Sequence, residues 1–416
     1  MKRIRRSVAA EFCGSNCGWD EESCVTQVKK IGVGGGVIPQ QCHSVKSDCE
    51  GCIALDGQLN LQPVLKGQLN SEYRTTGKQA PGANPMQAAV IEKFGEPVDV
   101  LKVRDLPVPE PKHGQLRVRM LAAPLNPSDL MVVRGSYAKL PTLPATPGFE
   151  GVGIVEKSGG GLYGKLLVGK RVAVLNSETG SWAEQAVINA RQAVPLSASL
   201  SVEQAATFFV NPATAYIMTR KVLRVPQGEW LLQTAAASAL GKMVIRLAKS
   251  TGFRTINVVR RREQVAELQQ LGADVVLVES EGDLREQVLK QTGGKGVNYA
   301  IDPVGGATAS AVVRCLGPGG RLLLFGTLSQ DPVSFSPRTL MSVGASVEGF
   351  WLGNWMAQQN IVSKLRLMKT LARLILSGEL SSEISETFPL AQVADAVRAA
   401  EKPRRGGKVL LRLGAS

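Results

Sequence analysis

The chain has 416 residues, 44% of them hydrophobic, enough for two or three domains with real cores. Its formal net charge of +14 would suit nucleic acid, a membrane surface or an acidic small molecule, but arginine is not interleaved with aromatics along any segment, which argues against nucleic acid. No apolar run approaches the roughly 20 residues that span a bilayer.

The basic start at 1–6 is not followed by the apolar stretch of a secretory signal, and Glu11, Asp20, Glu21 and Glu22 argue against an ordinary transit peptide. Six of the seven cysteines (Cys13, Cys17, Cys24, Cys42, Cys49, Cys52) precede residue 53. Their Cys-x3-Cys and Cys-x2-Cys spacings, with His43 nearby, could ligate a metal. Residues 1–85 hold no segment able to pack a core around one, so the preferred reading is a disordered extension, or upstream sequence read from a misplaced start. Met86 looks like a natural beginning. With only Cys315 beyond residue 52, the main body has no internal disulfide and suits a reducing compartment.

From 86 to about 208, short alternating runs at 116–120, 151–156, 171–175 and 183–188 are separated by Gly, Pro, Asn and Ser turns, predicting a β-rich barrel or sandwich. From about 229, strand and helix alternate. Strands are expected at 230–234, 255–259, 274–278, 297–302, 321–325 and 347–351. Helices are expected at 239–250, 263–271, 283–291 and 307–316. Six buried strands with crossover helices make a doubly wound parallel sheet, α/β in class. The tail from 352 carries an amphipathic helix around 364–376 and a strand at 408–413 that returns to the first domain.

In such a sheet a dinucleotide lies at the C-terminal strand ends, its pyrophosphate at the first helix N-terminus. The turn there reads Thr234-Ala235-Ala236-Ala237-Ser238-Ala239-Leu240-Gly241, not Gly-x-Gly-x-x-Gly. Only Gly241 remains, where helix and strand must approach closely, and the small residues Ala237, Ser238 and Ala239 can still admit a phosphate. The second strand ends in Arg260, Arg261 and Arg262 with no carboxylate before Glu263. Three cations there favour the 2′-phosphate of NADP(H) over the bare diol of NAD(H). The plainer alternative is a solvated basic helix start, which the helix dipole disfavours. Beyond residue 85 one histidine, His113, and one cysteine, Cys315, remain. They cannot make a Cys/His zinc site.

The segments Leu125-Asn126-Pro127-Ser128-Asp129, Arg134-Gly135-Ser136-Tyr137, Pro147-Gly148-Phe149-Glu150-Gly151-Val152-Gly153, Val210-Asn211-Pro212-Ala213-Thr214-Ala215-Tyr216 and Gly349-Phe350-Trp351-Leu352 carry a resemblance. Over 86–413 the chain resembles the medium-chain dehydrogenase/reductase superfamily, and within it the zinc-free enoyl-thioester reductases of mitochondrial type and their quinone-oxidoreductase cousins. Zinc-containing relatives carry a ligand histidine where Phe149 stands. The enoyl reductases often have Gly where Ala239 stands. The resemblance implies a GroES-like β-rich catalytic domain (86–208 with 352–416) and a six-stranded parallel Rossmann domain (209–351).

It also implies NADPH-dependent reduction of the 2,3 double bond of trans-2-enoyl thioesters, on coenzyme A or a carrier protein. An NADPH:quinone or enone reductase and a non-catalytic NADPH-binding protein stand as alternatives. Tyr137 would supply or relay the proton, the plainer alternative being a packed turn tyrosine. Asn126 and Thr214 would orient the nicotinamide and its ribose, or serve as turn and helix caps. Leu240, Gly241 and Gly326 would line the cofactor groove. Phe350 and Trp351 would border an acyl pocket or pack in the core. Lys408 would reach the cofactor or lie on the surface. The resemblance further implies a homodimer without nucleic acid or membrane, in the cytoplasm, or in the mitochondrial matrix of a eukaryote.

Overall fold

The computed structural model describes residues 85–175, 179–403 and 406–414. The cysteine-rich stretch with His43, and every expectation attached to it, lies outside them.

Seven strands open the described chain: β1 Met86–Ile91, β2 Leu101–Leu106, β3 Gln115–Pro124, β4 Glu150–Ser158, β5 Arg171–Leu175, β6 Gln185–Asn189 and β7 Val194–Pro195. The next six are β8 Trp230–Gln233, β9 Arg254–Val259, β10 Val275–Val278, β11 Val297–Asp302, β12 Leu316–Leu324 and β13 Ser346–Gly349. The last two are β14 Ile384–Pro389 and β15 Lys408–Arg412.

β8–β13 form one parallel sheet in the order β10-β9-β8-β11-β12-β13. Its central strands are almost wholly apolar, as a sheet covered on both faces requires; Leu231, Leu232, Ile256, Ala300 and Leu322 are buried. The chain order reverses between β8 and β11, which creates a crevice at the strand C-termini. The other large sheet is mostly antiparallel, ordered β14-β15-β3-β4-β5-β7 with β6 also on β3. β15 pairs with β3, so the tail does return to the first sheet. This is the expected α/β architecture.

Four details depart from the sequence reading. The fourth crossover helix ends early, at Val313, and Leu316 already belongs to β12, so Cys315 lies in the turn between them rather than on the helix. β13 stops at Gly349, which places Phe350 and Trp351 just beyond the strand, not in it. The strand expected at 183–188 is shifted to β6. The tail helix starts at Ile361, where Asn360 caps it by accepting from the Ser363 amide at 2.9 Å. That helix packs Leu367, Leu371, Leu374 and Ile375 into one core with Phe208, Ile217, Met243, Leu247 and Ile301. The stretch just after 351 therefore goes with the parallel-sheet side, and it is 384–412 that joins the first sheet. An amphipathic helix declares that it has an apolar face, not which neighbour covers it.

Candidate active site

The predicted residues gather in two clusters. One surrounds Asn126. Asn-Pro at 126–127 starts the helix Pro127–Arg134, and Asp129 returns to the cap: its carboxylate accepts from the Asn126 amide at 2.8 Å and from the Phe149 amide at 3.0 Å. This is half of a capping box. The Asn126 side chain is engaged elsewhere. Its Nδ2 donates to Glu150 Oε1 at 3.0 Å, and its Oδ1 accepts from the Lys408 ammonium. The second Glu150 oxygen accepts from the Phe209 and Val210 amides at 3.2 and 2.9 Å, at the start of the helix Val210–Ile217. A carboxylate satisfies that end both by hydrogen bonding and by the helix dipole.

Asn126, Asp129, Glu150 and Lys408 are all buried. Lys408 is thus a core lysine of β15 and not the surface lysine of the simpler account. Burial pushes the Asp129 carboxyl up to about 7. The two backbone hydrogen bonds and Lys408 oppose that rise, and Glu150 adds to it. Thr214, on the helix that Glu150 caps, is buried and donates to its own Val210 carbonyl at 2.6 Å. The sequence reading did not single out Asp129 and Glu150. The available signals were an acid at the third helical position after Asn126 and an acid opening an apolar strand.

The second cluster is aromatic. Tyr137 follows the helix that Asn126 starts, and its ring lies 5.2 Å from Phe149 and 5.2 Å, edge-on, from Trp351. Distances of this size are favourable for aromatic pairs. Burial raises the Tyr137 hydroxyl above its ordinary value, the Asp129 charge adds to the rise, and a hydrogen bond with Trp351 opposes it. The shift favours the protonated phenol. Phe350 packs at the edge of the core described above, and Trp351 stays 41% exposed.

The cofactor turn closes as anticipated at Gly241. A Cβ there would collide with the Ala236 carbonyl oxygen. Ser238 caps the helix Ala239–Thr251 by accepting from the Gly241 amide at 3.1 Å. The first-turn amides of Ala239 and Leu240 have no helical acceptor, as at any helix start, and Ala237 and Ala239 are half-buried. Thr234 donates to Asp302, whose carboxylate also accepts from the Val304 and Gly305 amides at 3.0 and 2.6 Å; this ties the ends of β8 and β11 together. Gly326, just past β12, lies so close to Pro303 that a Cβ would sit 2.6 Å from its carbonyl oxygen.

The arginine run divides. Arg262 is ion-paired with Glu281, its Nε 2.7 Å from Oε1. Arg260 is exposed, and the buried Nε of Arg261 has no partner among the described residues. A phosphate oxygen would satisfy that donor. Close helix approach, orphan first-turn amides and an unpaired arginine nitrogen together fit a phosphorylated dinucleotide. Cys315 is buried and its thiol is pushed up to about 12 by burial, the opposite of what a thiolate ligand needs.

Comparison with known proteins is consistent with this geometry. Residues 112–198 match the alcohol dehydrogenase GroES-like domain family, and 239–370 match the zinc-binding dehydrogenase family. The mitochondrial enoyl-[acyl-carrier-protein] reductase of Mus musculus is 33% identical over 84% of this chain and 96% of its own length. The chain belongs to the medium-chain dehydrogenase/reductase superfamily, in its zinc-free branch. The Homo sapiens reductase of the same name is 33% identical over 83% of this chain and 92% of that one. Among solved structures, a quinone oxidoreductase of Pseudomonas syringae is 29% identical, with a TM-score of 0.71 over 80% of this chain and all of that one. A mycobacterial protein complexed with NADPH is 27% identical, with a TM-score of 0.71 over 79% of this chain and 100% of that one. The chain is accordingly an oxidoreductase that works with a nicotinamide cofactor, and the two sheets are the GroES-like and Rossmann parts of that superfamily.

Proposed function

We propose that this protein reduces the 2,3 double bond of trans-2-enoyl thioesters, with NADPH as the reductant. The observation that carries this reading is Tyr137: a half-buried phenol, kept protonated, its ring 5.2 Å from both Phe149 and Trp351. A reduced nicotinamide held in this groove would provide the hydride equivalent that C3 requires. The chain's own work is the proton and the charge. As electrons move toward the thioester carbonyl, the Tyr137 Oη–H donates a hydrogen bond to the developing oxyanion and supplies or relays the proton that C2 requires. Asn126, fixed by Glu150 and Lys408, and Thr214 orient the nicotinamide end. The first-turn amides of Ala239 and Leu240 would hold the pyrophosphate, and Arg260 and Arg261 would hold the 2′-phosphate.

The names of the relatives support the thioester. The quinone oxidoreductases among the solved neighbours, together with a 2-haloacrylate reductase (26% identical, TM-score 0.70), support a second reading, reduction of quinones or enones. The same groove serves both, and they differ in whether an anionic thioester carrier is recognised. NADPH oxidation measured with crotonyl-CoA, a longer enoyl-CoA and a quinone distinguishes them. Turnover confined to the enoyl thioesters is expected; turnover confined to the quinone would sink the proposal. A homodimer built by pairing the exposed edge of β13 with its twofold copy, and a mitochondrial location in a eukaryote, complete the proposal.

A further inference from the structure

The helix Ile361–Leu376 has an outer face that its own fold does not explain. Its inner face is committed to the core through Leu367, Leu371, Leu374 and Ile375. On the solvent side lie Arg366, Lys369 and Arg373, all exposed, at the i, i+3 and i+7 spacing that aligns them on one stripe. None of the three forms an ion pair among the described residues. Between Gly349 and Gly378 the sequence carries four cations, with Lys364, and not one Asp or Glu. Like charges at these spacings weaken a helix, and a solvated helix face normally alternates sign. Beside the stripe, Ile361, Val362 and Leu365 are 60%, 50% and 61% exposed, which desolvation on binding would reward. The helix begins ten residues beyond Trp351, separated from it by the short helix Leu352–Ala357 and a brief turn.

We propose that this face docks an acidic carrier protein that delivers the enoyl thioester to Tyr137. Charge complementarity selects the partner: a uniform cationic stripe next to exposed apolar side chains fits an acidic, amphipathic protein surface. A free quinone or a small neutral enone would have no use for it. The proposal deepens the enoyl-thioester reading and rests on it.

The test is the triple variant R366E/K369E/R373E against the wild type, with crotonyl groups on purified acyl carrier protein and on N-acetylcysteamine, a neutral carrier-free thioester. The expected result is a loss of kcat/KM on the order of tenfold or more with the carrier protein. Turnover of the carrier-free thioester and the melting temperature should stay unchanged. An equal kcat/KM for both proteins on carrier-bound substrate overturns the docking surface while leaving the reductase reading intact. A wild type that reduces neither thioester overturns the reductase reading. Anisotropy of labelled carrier protein then decides the surface by itself: salt-sensitive binding abolished by the triple variant supports it, and no binding overturns it. Wild-type binding to phosphatidylserine vesicles but not to carrier protein would assign the face to a lipid surface and also overturn it.

Discussion

Tyr137 and Asp129 show how far a single side chain's chemistry depends on what surrounds it. Tyr137→Phe leaves both ring contacts possible and removes only the hydroxyl. It should lower kcat for enoyl reduction by about 10²-fold, the lower range for loss of a general acid, with NADPH binding retained; a variant of undiminished kcat would remove Tyr137 from the mechanism. For Asp129 the sign runs opposite to that of most carboxylates. Its folded value, about 7, lies above the ordinary 3.8 because of burial. Between those values the native protein holds a proton that the unfolded chain has released, so this residue's contribution is full at low pH and is lost as pH rises toward 7. Asp129→Asn, which cannot titrate, should be less stable at the acid end but show a flatter melting temperature from pH 4 to 7. Parallel wild-type and variant curves would contradict this. Neither property is visible in the sequence Pro127-Ser128-Asp129, because burial comes from β3, β4 and β15 packing around it.

At the scale of elements, the helix Ile361–Leu376 tests the revised boundary. Leu371 is fully buried beside residues of the parallel-sheet side. Leu371→Ala should destabilise by about 2–5 kcal/mol, and hydrogen exchange should show the loss concentrated in the helices Val210–Ile217 and Ala239–Thr251. Exchange enhanced instead in β3–β6 would return the helix to the first sheet. Periodicity located this helix to within three residues at its start, since the 3.6-residue repeat is local. It could not assign the helix to a core, because the apolar stripe is the same whichever sheet it covers. Close packing was similarly legible at Gly241, where only a residue without a side chain clears Ala236, and less so at the start of β12, which begins at Leu316 where the helix was expected to end.

For the whole molecule, cofactor binding is tested through its effect on stability. Saturating NADPH at about 100 times its Kd should raise stability by roughly 2.7 kcal/mol, and NADH at the same concentration by less. In Arg261→Ala the advantage of NADPH should fall by about 1.5–3 kcal/mol, the usual worth of a hydrogen bond to a charged group, with the NADH response unchanged. Thermal shifts with both cofactors measure this directly, and equal responses in the wild type would exclude the 2′-phosphate site. Sequence alone determined the parallel sheet, the crossover helices, the single histidine and single cysteine beyond residue 85 and the arginines at the end of the second strand, because each is written in local periodicity, residue type or position after a strand. Only the tertiary structure decided that Lys408 is buried against Asn126, that Glu150 caps a helix 60 residues away, that Arg262 is tied to Glu281 while Arg261 is left unpaired, and that Trp351 closes on Tyr137. These are pairings between distant segments, set by which surfaces the two sheets bury, and no local pattern encodes them.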